Sequence, residues 1–164
     1  MILKVIFNIL LLIPFYSNSQ SSYDSLQKIW LDKSLPDSVR FSAISSQYKI
    51  NQSDLEVNLK LTDYHLQLSK KKGSTSERLN ALHQRGAIQL YQGNLEASKA
   101  SLDQELKIAK ETNEPKNLLR AYLLAGSIAV DERDFLGSIR AFNKGNKLAK
   151  ESGLEKLELT CLNN

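Results

Sequence analysis

Few side chains in this sequence carry the chemistry from which a catalytic or metal site is built: two histidines, His65 and His83, and one cysteine, Cys161. Nucleophilic catalysis needs a hydroxyl or thiol beside a base that a third group orients, and a zinc site needs three or four His, Cys or carboxylate ligands at matched spacing. Neither histidine has an evident partner of either kind along the chain, and a lone cysteine permits no internal disulfide and no zinc site on paired cysteines. The phosphate pattern G-x-x-x-x-G-K, the dinucleotide pattern G-x-G-x-x-G, the zinc pattern H-E-x-x-H and the nucleophile pattern G-x-S-x-G do not occur. The expectation is a non-enzyme with no catalytic, cofactor-binding or metal-binding residues and no cofactor. The other ionisable groups fit helix surfaces. Glu105 and the run from Lys107 to Glu111 mix their signs as solvated helix faces do. Lys70-Lys71-Lys72 stands just before Gly73, where cations complement the negative end of a helix dipole, with a phosphate or lipid contact as the alternative.

Any functional residue here must be positioned by helices. Seven Gly and three Pro are few for a chain of many tight turns, whereas Leu, Lys, Ala, Glu and Gln are plentiful. At 164 residues, with 41% apolar and 24% charged, the chain can form one modest domain or a short repeat array. Shifting the sequence by forty residues lays Glu77–Lys116 on Asn117–Lys156 with ten identities. Composition alone accounts for about two or three. They include Leu79 with Leu119, Ala81 with Ala121, Gly86 with Gly126, Ile88 with Ile128, Ser98 with Ser138, and Ala109-Lys110-Glu111 with Ala149-Lys150-Glu151.

Each unit divides into two helices at the same place, Gln92-Gly93-Asn94 in one and Glu132-Arg133-Asp134 in the next, where Asn94 and Asp134 are good N-caps. Leu79, Leu82, Gly86 and Leu90, and then Leu119, Tyr122, Gly126 and Val130, recur at three- and four-residue steps and make an apolar stripe. Glycine inside a helix costs about 1 kcal/mol relative to alanine, so its return at the same point implies that another helix passes close there. His83 lies across the helix from this stripe and reads as a solvated imidazole ahead of a ligand.

These residues bear a family likeness. Leu82 with Gly86, Ser98 with Leu102, and Pro115 in one unit, and Tyr122 with Gly126 and Ser138 with Phe142 in the other, resemble the tetratricopeptide repeat (TPR). The usual aromatic three after the small residue is Gln89 and Ala129, the usual Ala is Ser98 and Ser138, and the second unit has no Pro. The resemblance implies an all-α fold: antiparallel helix-hairpin repeats stacked as a right-handed TPR-like α-solenoid. It also implies a groove lined by the first helix of each unit that holds a protein or peptide. By resemblance, the residues facing that groove are Asn80, His83, Ala87 and Tyr91 in one unit and Arg120, Leu123, Ser127 and Asp131 in the next. Plain surface positions without a ligand are the alternative.

The ends read differently. Lys4, the apolar run from Val5 to Tyr16 and Ser17-Asn18-Ser19 have the layout of a secretory signal peptide cleaved near Ser19. The apolar run falls short of the roughly twenty residues that span a bilayer, and no cysteine follows it for a lipid anchor. Export, with the bacterial periplasm as destination, is the expectation, with membrane attachment only through an uncleaved signal or a missing downstream segment. Residues 20–36 are expected to hold an N-terminal capping helix with Leu26, Ile29 and Trp30 on one face, Trp30 packing in preference to serving as a ligand platform. Residues 37–76 read as a degenerate TPR-like unit with Asp54-Leu55 under Asn94-Leu95, 77–116 and 117–156 as two TPR units. Residues 157–164 read as the start of a further unit, truncated, so that the chain is expected to be a fragment or the front of a longer protein, with Cys161 a small packing residue.

Without Lys4 the chain carries 21 Lys and Arg against 18 Asp and Glu, too small and scattered an excess to imply nucleic acid. The leading expectation is a non-enzymatic scaffold, exported across the inner membrane, that binds a protein or peptide ligand or self-associates. The alternative class is the N-terminal sensory fragment of a larger signalling protein. The Ile29-Trp30, Asp32 and Pro36-Asp37-Ser38-Val39-Arg40 pattern resembles the periplasmic repeat regions of Bacteroidetes-type class III adenylate or guanylate cyclases and sensor histidine kinases. Its output domain, a cyclase, kinase or helix-turn-helix regulator, would lie outside this sequence.

Overall fold

A computed structural model describes residues 23–50 and 54–154. The predicted signal segment 1–19 and the started unit 157–164, with Cys161, lie outside the described residues. The described residues form an all-α protein with no strand: α1 (23–31), α2 (Asp37–Ile50), α3 (Leu55–Lys72), α4 (Thr75–Tyr91), α5 (Leu95–Thr112), α6 (Pro115–Asp131) and α7 (Phe135–Glu151). The chain divides into two compact units, Met1–Asn58 and Leu59–Asn164.

In the first unit Trp30 is buried, as are Phe41, Ala43, Ile44 and Tyr48 of α2. The Arg40 side chain joins the two helices: its Nε donates to the Trp30 carbonyl at 3.1 Å, and its Nη1 pairs with Asp37 Oδ1 at 3.3 Å. Asp32 Oδ1 accepts from the backbone N–H and the hydroxyl of Ser34, at 2.8 and 2.6 Å, which closes the turn between α1 and α2. Those two bonds hold the Asp32 carboxyl below the usual carboxylate range.

The forty-residue period is written into the helix ends. Asp54, Asn94 and Asp134 each accept, through the side chain, the backbone N–H three residues on: Val57 at 3.0 Å, Ala97 at 3.2 Å and Gly137 at 2.8 Å. The backbone N–H groups of Asn94 and Asp134 meanwhile donate to the Gln89 and Ala129 carbonyls, so one residue finishes a helix and starts the next. Left-handed backbone recurs at the same interval, at Gly73, Asn113 and Gly153 and at Gly93 and Arg133. Lys70 to Lys72 form the last turn of α3, ahead of Gly73, as the dipole reading expected.

Within the second unit α4 packs on α5 and α6 on α7, while α6 also meets α5 and α4. Leu66, Leu79, Ala81, Leu82, Ile108 and Ala109 make one buried cluster, and Leu102, Ala121, Leu124 and Ile128 a second. The predicted close approach at the recurring glycine is present in both places. A Cβ on Gly86 would lie 2.7 Å from Leu124 Cδ2, and one on Gly126 would press on one side of the Phe142 ring, 2.6 Å from Cζ. Two serines of α5 bond back to α4: Ser98 Oγ donates to the Gly86 carbonyl at 2.8 Å, and Ser101 Oγ to Gln89 Oε1 at 2.7 Å. One surface expectation fails. Glu105 is only 1% exposed, because its helix turns that position toward α4, where His83 meets it.

The two glycines predict different responses to a methyl. Leu124 can swing a terminal methyl aside, whereas the Phe142 ring has no such freedom, so Gly126→Ala is expected to be destabilising by roughly 1–3 kcal/mol of overpacking, offset by about 1 kcal/mol of helix propensity. Gly86→Ala is expected to stay near neutral. Urea unfolding of both variants checks the order, and equal stability would mean that the ring has room to move.

Candidate functional site

The forty-residue offset pairs the eight predicted positions of α4 and α6 as four equivalent rungs: Asn80 with Arg120, His83 with Leu123, Ala87 with Ser127, and Tyr91 with Asp131. At the first rung the two side chains join directly, Arg120 Nη1 donating to Asn80 Oδ1 at 2.7 Å. Asn80 Nδ2 reaches back 3.4 Å to Glu77 Oε2, which also lies 3.0 Å from Nε2 of the fully buried His65 on α3. At the second rung His83, expected to be solvated, instead points Nδ1 at Glu105 Oε1 of α5, 3.1 Å away. Its side chain is 21% exposed.

This end of the face is thus held shut by polar links that run inward from α4 and α6. Burial lowers the Arg120 pKa from its ordinary value and the Glu105 charge works against that, leaving a guanidinium that stays protonated near neutral pH. Glu105 Oε2 has no hydrogen-bond partner and rests near this cation and His83. Burial also pushes the His65 imidazole below the usual histidine range, more strongly than the bond to Glu77 raises it.

The other end of the face is open. A cleft of about 430 Å³ is lined by Leu90 and Tyr91 at the end of α4, by Ser127, Val130 and Asp131 at the end of α6, and by Phe142 of α7. Tyr91, one of its lining residues, is 80% exposed. Ser127 turns its hydroxyl back to the Leu123 carbonyl at 3.2 Å. Asp131 is exposed and makes no hydrogen bond or ion pair with the described residues, whereas the adjacent Glu132 is taken by Lys99 of α5, whose ammonium it holds above the usual lysine range.

Three of the eight predicted residues, Tyr91, Ser127 and Asp131, therefore meet at one cleft. Asn80, Arg120 and His83 are engaged in the polar links, and Ala87 and Leu123 are half-buried between the two ends. Sequence reasoning missed Leu90, Val130 and Phe142 as cleft walls, having assigned them to packing; it read His65 as without a partner and Glu105 as surface, and so missed their bonds to Glu77 and His83. One signal was present: His83 and Glu105 are replaced together in the next unit by Leu123 and Gly145. Among the described residues no group of three or more His, Cys, Asp or Glu gathers as a metal site, and no helix is long and apolar enough to cross a membrane. Chemically, the cleft offers apolar walls, an aromatic face and one free carboxylate. Neither protein-family models, nor curated proteins, nor solved structures give a significant match to this chain.

Because the folded pKa of His65 lies below its unfolded value of about 6.5, the unfolded chain binds more protons as pH falls through that value. Its contribution is fully present above pH 6.5 and is lost below it. Unfolding free energy measured from pH 7.5 to 5.5 is expected to fall, and His65→Gln to flatten that slope whatever it does to stability at pH 7.5. An unchanged slope would assign the acid sensitivity to other groups.

Proposed function

We propose that this chain is a non-enzymatic scaffold of stacked TPR-like helix hairpins, a right-handed α-solenoid, that is exported to the periplasm and recognises a protein or peptide on the α4–α6 face. One observation carries the reading: equivalent positions of successive hairpins, Tyr91 and Asp131, open onto a shared cleft while the farthest rung, Asn80 with Arg120, is closed by its own hydrogen bond. A concave patch with apolar walls and a few polar groups at its rim is what a ligand side chain needs for burial and orientation. Stacked hairpins present the first helix of each unit along one surface, so an extended segment can meet several units at once. The export step rests on the basic start, short apolar run and small residues of 1–19.

Panning a random peptide library against the full chain tests the reading. Enriched peptides are expected to shift backbone amide resonances at Leu90, Tyr91, Ser127, Val130 and Asp131, and Tyr91→Ala is expected to weaken them by about ten-fold, as loss of an exposed aromatic anchor does. Failure to enrich any peptide, or shifts confined to α5 and the outer side of α7, would contradict it.

A further inference from the structure

The cleft has a chemical bias. Among the described residues its lining holds a single charged group, Asp131, and no cation of those residues pairs with that carboxylate. The helix ends add to this. α4 ends at Tyr91 and α6 at Asp131, so the negative ends of two helix dipoles border the cleft. Neither helix has a basic residue in its last turn, whereas α2, α3, α5 and α7 finish with Lys49, Lys70 to Lys72, Lys110 and Lys150. The cations that elsewhere complement a helix terminus are missing at the two termini that share this cleft. Arg133, in the turn that follows α6, does not line it.

On these grounds we infer that the cleft between Tyr91 and Asp131 receives an arginine side chain of the bound peptide. This rests on the proposed peptide-binding reading and deepens it. The three methylenes of an arginine would lie against Leu90, Val130 and Phe142, and its planar guanidinium would stack on the exposed Tyr91 ring and meet Asp131 with two parallel N–H donors. Lysine satisfies the charge but neither the stacking nor the fork. An acidic or phosphorylated side chain would face one carboxylate and two negative helix ends. A purely apolar one would bury Asp131 without a partner, which is unfavourable.

The test uses the full chain and a family of N-acetylated, C-amidated heptapeptides in an alanine–leucine frame, with a single central arginine, citrulline, norleucine or glutamate. Amide shifts and affinities are read by NMR titration. The arginine peptide is expected to bind at least about ten-fold tighter than its neutral isostere citrulline, with shifts centred on Tyr91 and Asp131 and a preference that shrinks as salt rises. Asp131→Asn is expected to erase the arginine-over-citrulline preference. Asp131 is exposed and unpaired, so this variant is expected to keep the wild-type circular-dichroism melt. Tyr91→Ala is expected to weaken both peptides. Equal binding of arginine, citrulline and norleucine, or tighter binding of glutamate, overturns the arginine assignment and leaves the peptide face standing. Library-selected peptides that bind the face while none of the four probes does have the same meaning. If neither selected peptides nor probes bind, the peptide-binding reading falls with it.

Discussion

Close packing of the helices, between the two hairpins at α4 and within the second hairpin at α6, uses one point on each helix that lacks a side chain. At Gly86 the missing methyl leaves room for Leu124 of the next hairpin, and at Gly126 it leaves room for the ring of Phe142. Glycine is unfavourable inside a helix, so each site trades local helix stability for tertiary packing. Around the first contact the backbone is also tied across: the Ser98 hydroxyl takes the Gly86 carbonyl, and Ser101 takes Gln89 one turn on. The buried clusters on either side, around Leu82 and around Leu124, depend on that spacing.

The polar interior adds register to this packing. Arg120 and Asn80 occupy the same position in successive units and bond to each other, which is a contact only a stack with an offset of one whole repeat can make. His83 to Glu105 and His65 to Glu77 tie α4 to its neighbours on both sides. Buried charged groups are weak sources of net stability, but a partner misplaced by one helical turn would leave a carboxylate or guanidinium unpaired. In this structure each histidine–carboxylate pair bridges two neighbouring helices.

The consequence for function lies in how unevenly those links are spread. They close the face at Asn80 and Arg120 and leave it open at Tyr91 and Asp131, where the helices end and Asp131 has no ion-pair partner among the described residues. Glu132 is drawn off by Lys99, which isolates Asp131 as the free charge at the rim. On the proposed reading, a few anchored side chains of a ligand would each contribute more there than the contacts around them.

The sequence by itself determined the helices, their ends and their period. Caps and left-handed turns are local, set by residues within three or four positions, so Asn94, Asp134 and Gly93 announce them without reference to the rest of the chain. It also determined the close approach at Gly86 and Gly126, because a costly residue repeated in register implies a neighbour. Buried Trp30 followed from the apolar face it shares with its own helix. The tertiary structure alone decided which polar residues look inward. Glu105 reads as surface because charge patterning records only a helix's own faces, and its burial depends on how α5 turns toward His83 twenty-two residues earlier. It also decided where the face opens, since the cleft is the gap left between the ends of α4 and α6 against Phe142, and gaps between elements are set by packing distances that no single segment encodes.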